Sequence, residues 1–324
     1  MDRTTSAADV VIVGAGSAGS TLAARLSEDA ARRVVLLEAG PDLRTADVPD
    51  AMASSNPSRI INDPEHATWR WDDLTSTRTG AQEPRVYWRG RGVGGSSLIN
   101  GQIAIRGTVE DYDGWAADGC TGWSYDEVLP AFCRLETDLR YGDASYHGAE
   151  GPIPIDRAPA SAWGPVDLAL AEAAMDLGYG WAADHNAPGT TGVSPYAINR
   201  RDGRRVSAAD AYLEPRRGSD NLEIRGGVTV DSVLFDGDRA VGVRAVVDGR
   251  VEDITATEAV VLAAGAVHSP AILQRSGIGP SDHLRTLGLD TRIDLPVGLG
   301  FQDHPAVFLP IVLDQAAVSP PDFR

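Results

Sequence analysis

Cysteine is scarce, basic residues are outnumbered, and no long apolar run exists; each shortage removes a class of protein. Cys120 and Cys133 are the only two cysteines in 324 residues and lack metal-ligand spacing. A disulfide framework is excluded, no metal site is read, and the two thiols are expected to be ordinary buried residues in a reducing cytoplasm. No stretch approaches the roughly 20 apolar residues that a membrane span needs. The N-terminus shows no charged region followed by an apolar core, so no secretory leader is read there. Lys and Arg together number 29 against 46 Asp and Glu, a formal net charge of −17. That balance argues against nucleic acid and anionic membrane surfaces as partners.

Hydrophobic residues, at 43%, suffice for a sizeable core, and the length allows one large domain or two ordinary ones. Glycine, at 35 residues, exceeds its usual share of about 7%. Many of these glycines fall in a few dense stretches.

The first runs from Asp9 to Glu38. Val10-Val11-Ile12-Val13 is β-branched and uncharged, as a strand buried on both faces requires. It enters the GxGxxG turn Gly14-Ala15-Gly16-Ser17-Ala18-Gly19, after which Leu22, Ala23 and Leu26 recur at helical spacing. A second apolar run, Val34 to Leu37, ends on Glu38. In such a βαβ unit the first glycine permits the tight turn, the second admits a pyrophosphate, and the third lets helix and strand pack closely. The helix N-terminus faces the phosphates. Glu38 is placed to accept hydrogen bonds from a ribose diol and would repel a 2′-phosphate. The unit predicts dinucleotide binding and leaves FAD and NAD open.

Residues 42–85 are irregular and punctuated by proline, with Trp69-Arg70-Trp71 fitting a short strand of packing tryptophans. From Arg89 to Gly101 five glycines and two serines make a loop whose amides can face an anion. Arg89 or Arg91 could contact a pyrophosphate, and the apolar residues that follow at once argue against a flexible linker. Residues 111–140 read as helical, with Trp115, Trp123, Val128, Leu129 and Phe132 as core. Residues 148–159 read as extended. An amphipathic helix is expected over 166–177, with Leu168, Leu170 and Ala171 on its apolar side, and a short helix over 208–213. Strands are expected at 222–225, 228–235 and 240–247, the last two joined by a turn at Asp236-Gly237-Asp238. A further uncharged buried strand leads through Ala259–Leu262 to Gly265, and Ser269-Pro270 opens a helix ending at Ser276-Gly277.

These stretches together resemble the glucose–methanol–choline (GMC) family of FAD-dependent oxidoreductases. GAGSAG with Glu38 is similar to the family's FAD site, Gly90–Asn100 to its first signature, and Gly265–Gly279 to its second. Val297–Pro305 is like the VGxxxQDHP segment, and Asp111–Pro130 with His147-Gly148 through Gly151-Pro152 also fits. The resemblance implies an α/β fold: a Rossmann-like FAD-binding domain with a parallel sheet, plus an incomplete α+β substrate domain with an antiparallel sheet. Its FAD-binding parts would be 1–157 and 206–305, with an insertion over 158–205 and the start of the substrate domain over 306–324.

It also implies FAD in an extended pose, held by Gly14, Ala15, Gly16, Ser17, Ala18 and Gly19 at the pyrophosphate and Glu38 at the ribose. Val230 would meet the adenine through its backbone, and Ser96, Asn100 and Gly101 would border the ribityl chain and isoalloxazine. Arg91, Val93, Gly94, Gly95, Ala264 and Gly265 complete the implied cofactor set, with Asp303 and His304 on the flavin side. Ile99 stands where some members carry the histidine that attaches FAD, so the cofactor is expected to be non-covalent. The implied chemistry is oxidation of a small-molecule alcohol to an aldehyde or ketone, with electrons leaving to oxygen, a quinone or a protein carrier.

The family's base is a histidine in a C-terminal motif that none of the six histidines here matches. His304 belongs to the QDHP segment, and His268 is expected to be structural. The apolar run Val307–Leu313 resembles the first strand of a sheet whose other strands are missing, an edge that invites aggregation. The chain is therefore expected to be truncated and inactive alone, either a remnant or half of a split enzyme with a complementary C-terminal partner. A dehydrogenase using NAD is the rival reading.

Overall fold

The uncharged runs at Val10–Val13 and Val34–Leu37 lie side by side at the centre of a six-stranded sheet. The computed structural model describes residues 8–63, 65–304 and 310–318. It divides into two units: Met1–Met52, Ser58–Ile99 and Ser207–Pro305 in one, and Ala53–Pro57, Asn100–Val206 and Ala306–Arg324 in the other.

The first unit carries the sheet. Its elements are β1 (Ala8–Val13), α1 (Ser17–Leu26), β2 (Val34–Leu37), β3 (Leu222–Arg225), β4 (Val228–Asp236), β5 (Arg239–Val247), β6 (Arg250–Leu262) and α2 (Gly265–Arg275). Strand order is β3-β2-β1-β6-β5-β4. The first three pairings are parallel and the last two antiparallel, so a parallel α/β layer continues into a meander. Alternation along β1 explains its lack of charge. Val10 and Ile12 pack with Ala23 of α1, Leu36 and Leu213, while Val11 and Val13 pack with Leu37, Val243 and Ile272 on the opposite face. Each fully buried Val, Leu or Ile contributes about 1.5–3 kcal/mol, so this double coverage dominates the stability of the unit.

Two readings change here. The strand expected near Ala259 is the second half of a 13-residue strand, β6, and its residues 259–262 are half-buried rather than buried. Its first half, where exposed Val251, Asp253 and Thr255 alternate with buried Ile254 and Ala256, pairs antiparallel with β5; charge on the wet face hid it. Helix α2 starts at Gly265, four residues before the expected opening, and contains Pro270. Pro270 is the sixth residue of the helix, beyond the first turn of free donors, so the helix forgoes one bond, to the Ala266 carbonyl, and continues past it.

The second unit holds a three-stranded sheet of Glu136–Asp138, Ile153–Arg157 and Ala197–Ile198, with helices at Val109–Ala117, Tyr125–Leu135 and Pro165–Asp176. The helical stretch 111–140 is thus two short helices and a strand. Trp115 and Trp123 are about half exposed, stacking edge-on with each other at 5.8 Å instead of entering a core, and Tyr125 is the buried aromatic. On Pro165–Asp176 the apolar side faces out: Leu168 and Leu170 are exposed, and only Ala171 is buried. Cys120 is exposed and Cys133 half-buried, and both are free thiols, so the expected burial fails for the first. Of the run Val307–Leu313, residues 307–309 lie outside the described residues, and 310–313 are exposed and form no strand.

At the centre of this unit sits a buried ion cluster. His147 Nδ1 contacts Glu136 Oε1 at 2.5 Å and its Nε2 contacts Asp184 Oδ2 at 2.7 Å. Arg157 bonds Asp138 and Asp184, and Arg106 bonds Glu136, each at 2.7 Å. Three carboxylates thus meet two guanidiniums and one imidazole, and the charge closes only if His147 is protonated. Burial pulls its pKa down, but the bonds to Asp184 and Glu136 and the charge of Asp138 outweigh it and lift the pKa to about 9. Burial likewise opposes ionisation of Asp184, but the His147 bond and the Arg157 charge hold its pKa at about 2.

A histidine raised in the folded state stabilises fully below its unfolded pKa near 6.5, and that stability is lost as pH rises through about 9. The chain has no lysine to obscure this window. The unfolding free energy from urea titrations should hold steady near pH 6 and fall between pH 7 and 10 by on the order of 2 kcal/mol. In His147→Gln that decline should disappear, and an unchanged pH profile in the variant would contradict the assignment.

Candidate functional site

The parallel strands β1, β2 and β6 all end at one edge of the sheet, where ligands of open α/β sheets bind. There Val13-Gly14, Leu37-Glu38 and Ala263–His268 border a cavity of about 670 Å³, joined by Gly90, Gly95 and Ser96 and by Val228–Asp231. Such a volume suits a ligand of cofactor size.

Two helix N-termini open into it. Gly16, Ser17 and Ala18 begin α1, and Gly265, Ala266 and Val267 begin α2; both helices are long enough to present a positive dipole end. The glycines around them differ in purpose. A Cβ on Gly19 would stand 1.8 Å from the Gly14 carbonyl oxygen, so that glycine is demanded by the chain's own packing. A Cβ on Gly16 would meet only the Gly95 Cα at 4.0 Å. The protein leaves Gly16 open toward the cavity without needing to, which is the cradle a diphosphate would fill.

Glu38 is buried, and its carboxylate is already engaged. Oε2 accepts from the Ala15 amide at 2.9 Å, while Oε1 accepts from the Gly40 and Gly92 amides at 2.9 and 3.0 Å. Burial raises its pKa, against the pull of the three amides and of Arg91. Oε2 keeps one lone pair for a ligand hydroxyl. The sequence signals this acid as a ribose partner but gives no sign that it ties three loops together.

Arg89 lines the cavity. Arg91 does not line the cavity; it backs two wall residues, donating to the Ala39 carbonyl at 3.3 Å with its guanidinium 5.2 Å over the Trp71 ring. Trp71, expected to be packing only, is a cavity wall, whereas Trp69 does pack, against the Met52, Ile60 and Leu98 cluster. His268, expected to be structural, also lines the cavity, its ring 4.2 Å from Trp71. Burial, then the nearby Arg275 cation, lowers its pKa, so the imidazole is neutral at pH 7. Arg275 bonds the Asp231 and Val230 carbonyls and closes the end of the cavity at β4.

Of the predicted set, Gly14, Gly16, Ser17, Ala18, Glu38, Gly95, Ser96, Val230, Ala264 and Gly265 surround one cavity. Ala15 and Val93 are fully buried behind it, Gly19 packs against Gly14, and Gly94 donates its amide to the Ala15 carbonyl at 2.8 Å. Asn100 and Gly101 belong to the second unit, where Asn100 Oδ1 accepts from the Gln102 amide and Arg205. Asp303 and His304 lie on an exposed segment.

With this geometry in place, the comparisons are direct. The profile of the GMC oxidoreductase family matches residues 8–306. The chain is similar to an oxygen-dependent choline dehydrogenase of Staphylococcus xylosus, with 39% identity over 306 residues that cover 93% of this chain and 53% of that protein. It is also similar to the mitochondrial choline dehydrogenase of Homo sapiens, 38% identical over 320 residues, 96% of this chain and 52% of the other. Pyridoxine 4-oxidase from Mesorbium loti superposes with a TM-score of 0.82 at 38% identity, over 89% of this chain and 55% of that structure. The chain spans about half the length of the curated relatives it matches.

The contrast between the two glycines is measurable. Gly19→Ala should cost about 1–3 kcal/mol through backbone overlap, while Gly16→Ala should stay within about 0.5 kcal/mol of the parent. Urea midpoints of the two variants test this; equal midpoints would refute the packing role of Gly19.

Proposed function

This chain belongs to the GMC oxidoreductase family, and on that premise we propose that it binds FAD, non-covalently, in the cavity at the edge of the parallel sheet. The observation that carries the reading is the cradle at Gly16, the N-cap of α1, in a cavity that the N-terminus of α2 and Glu38 also line. Bound there, FAD would supply the hydride acceptor for oxidation of a CH–OH group to an aldehyde or ketone.

The chain's own residues do the holding. The amides that begin α1 and α2 would take the diphosphate, and the free lone pair of Glu38 Oε2 an adenosine ribose hydroxyl. The backbone of Val230, beside Arg275, would border the adenine. Ile99 leaves no imidazole for covalent attachment at that position. The named relatives act on choline and pyridoxine, which makes a small-molecule alcohol the substrate class and leaves the electron acceptor to be found by assay. Since those relatives are nearly twice as long, alcohol oxidation is proposed for a protein of their extent, and no catalytic base is assigned to this chain. A complementary C-terminal half would supply it. Among the described residues no helix is long and apolar enough to cross a membrane. The two unpaired thiols fit the reducing cytoplasm, where we place the protein.

Flavin fluorescence is the direct test. The chain should quench added FAD with a one-to-one endpoint and ignore NADP, and Gly16→Val should weaken FAD binding by about a hundredfold with its unfolding midpoint kept (a lost diphosphate contact set, about 2–3 kcal/mol). Equal affinity in the variant would remove the cradle from the account.

A further inference from the structure

Asp303 carries out a contact that the cavity description does not use. Its Oδ2 accepts a hydrogen bond from the Tyr87 hydroxyl at 2.5 Å, and the same hydroxyl accepts from Arg89. Arg89 also stands 3.5 Å from Asp303 in an ion pair, and its guanidinium lies 3.9 Å over the Tyr87 ring. A third anchor is the Trp88 carbonyl, to which Arg89 donates at 2.7 Å. Phe301 packs edge-on against Tyr87 at 5.9 Å. The segment 301–304 is thereby tied to residues 87–89, which lead into the glycine-rich loop.

Arg89 matters because of where it is held. Of the two cationic side chains in the cavity wall, Arg275 is bound to Asp231 at the β4 end, so Arg89 is the cation at the end formed by Gly90, Gly95 and Ser96. Arg91 does not line the cavity itself; its guanidinium is held behind two wall residues, bonded to the Ala39 carbonyl and over the Trp71 ring. Arg89 and Asp303 are each about one-third exposed, at 34% and 40%. A pair that wet adds little to folding, so its consequence is the place of the guanidinium rather than the stability of the unit.

We propose that Asp303 is a positioning residue: with Tyr87 it fixes the side chain of Arg89, a residue that lines the cavity, so that its charge attracts the anionic part of the dinucleotide. This rests on the FAD reading above.

A double-variant cycle on the purified chain, read by FAD affinity against ionic strength, tests it. Asp303→Asn and Arg89→Met should each weaken FAD binding about tenfold and flatten its salt dependence. The double variant should be no weaker than either single one. Tyr87→Phe, which keeps the ion pair and removes the hydroxyl, should give an intermediate loss, and it serves if Asp303→Asn does not fold. Unfolding midpoints should stay at the parent value. Additive losses, or a salt dependence unchanged in Asp303→Asn, would mean that Asp303 only anchors its segment, and would overturn the proposal. Unchanged or tighter binding in Asp303→Asn would overturn it as well. A parent chain that takes up no FAD would instead remove the reading on which it stands.

Discussion

Glu38 accepts hydrogen bonds from the amides of Ala15, Gly40 and Gly92, and the cavity depends on that one carboxylate. Each amide belongs to a different segment: the glycine turn after β1, the exit from β2, and the glycine-rich loop that begins near Arg89. Left unpaired and buried, three amides would cost several kcal/mol; on one carboxylate they draw three loops to a single point. Further backbone bonds follow that convergence, with Gly94 donating to Ala15 and Val93 to Pro41. The glycines are there because the loops approach so closely. A Cβ on Gly40 would lie 2.4 Å from the Gly92 nitrogen, and one on Gly95 would lie 2.6 Å from the Gly16 Cα.

The sheet supplies the rigidity against which this hub works. β1 is paired on both sides and covered on both faces, so the turn at Gly14 starts from a fixed point. The same strand set aligns α1 and α2 so that both N-termini face the cavity. The second unit reaches order by other means. It carries exposed tryptophans and leucines and a buried cluster in which Arg157 and His147 neutralise Asp138 and Asp184. One unit is organised by apolar strands and backbone amides, the other around ionised side chains.

The first unit could be read from its sequence to the extent that its signals are local. Val10–Val13, the GxGxxG turn and Glu38 occupy consecutive stretches whose period and chemistry are unmistakable, and the family resemblance extended that reading to Gly90–Gly101 and Gly265. What escaped depends on contacts distant in sequence. Nothing near His268 marks it as a cavity wall; that follows from Trp71, almost 200 residues away and far outside the windows of roughly 11–18 residues in which a pattern is read. The ion cluster draws on residues 106, 136, 138, 147, 157 and 184, none in a recognisable spacing. Trp115 and Leu170 stand exposed despite their apolar character, because an apolar residue on a short helix indicates a core only if something packs on it.

The absorbance spectrum of the purified chain, taken after saturation with FAD and removal of the free flavin, tests the central claim most directly. The account predicts a retained flavin band near about 450 nm, at one FAD per chain. A colourless chain that keeps the fold, with the same midpoint of unfolding before and after FAD, would contradict it.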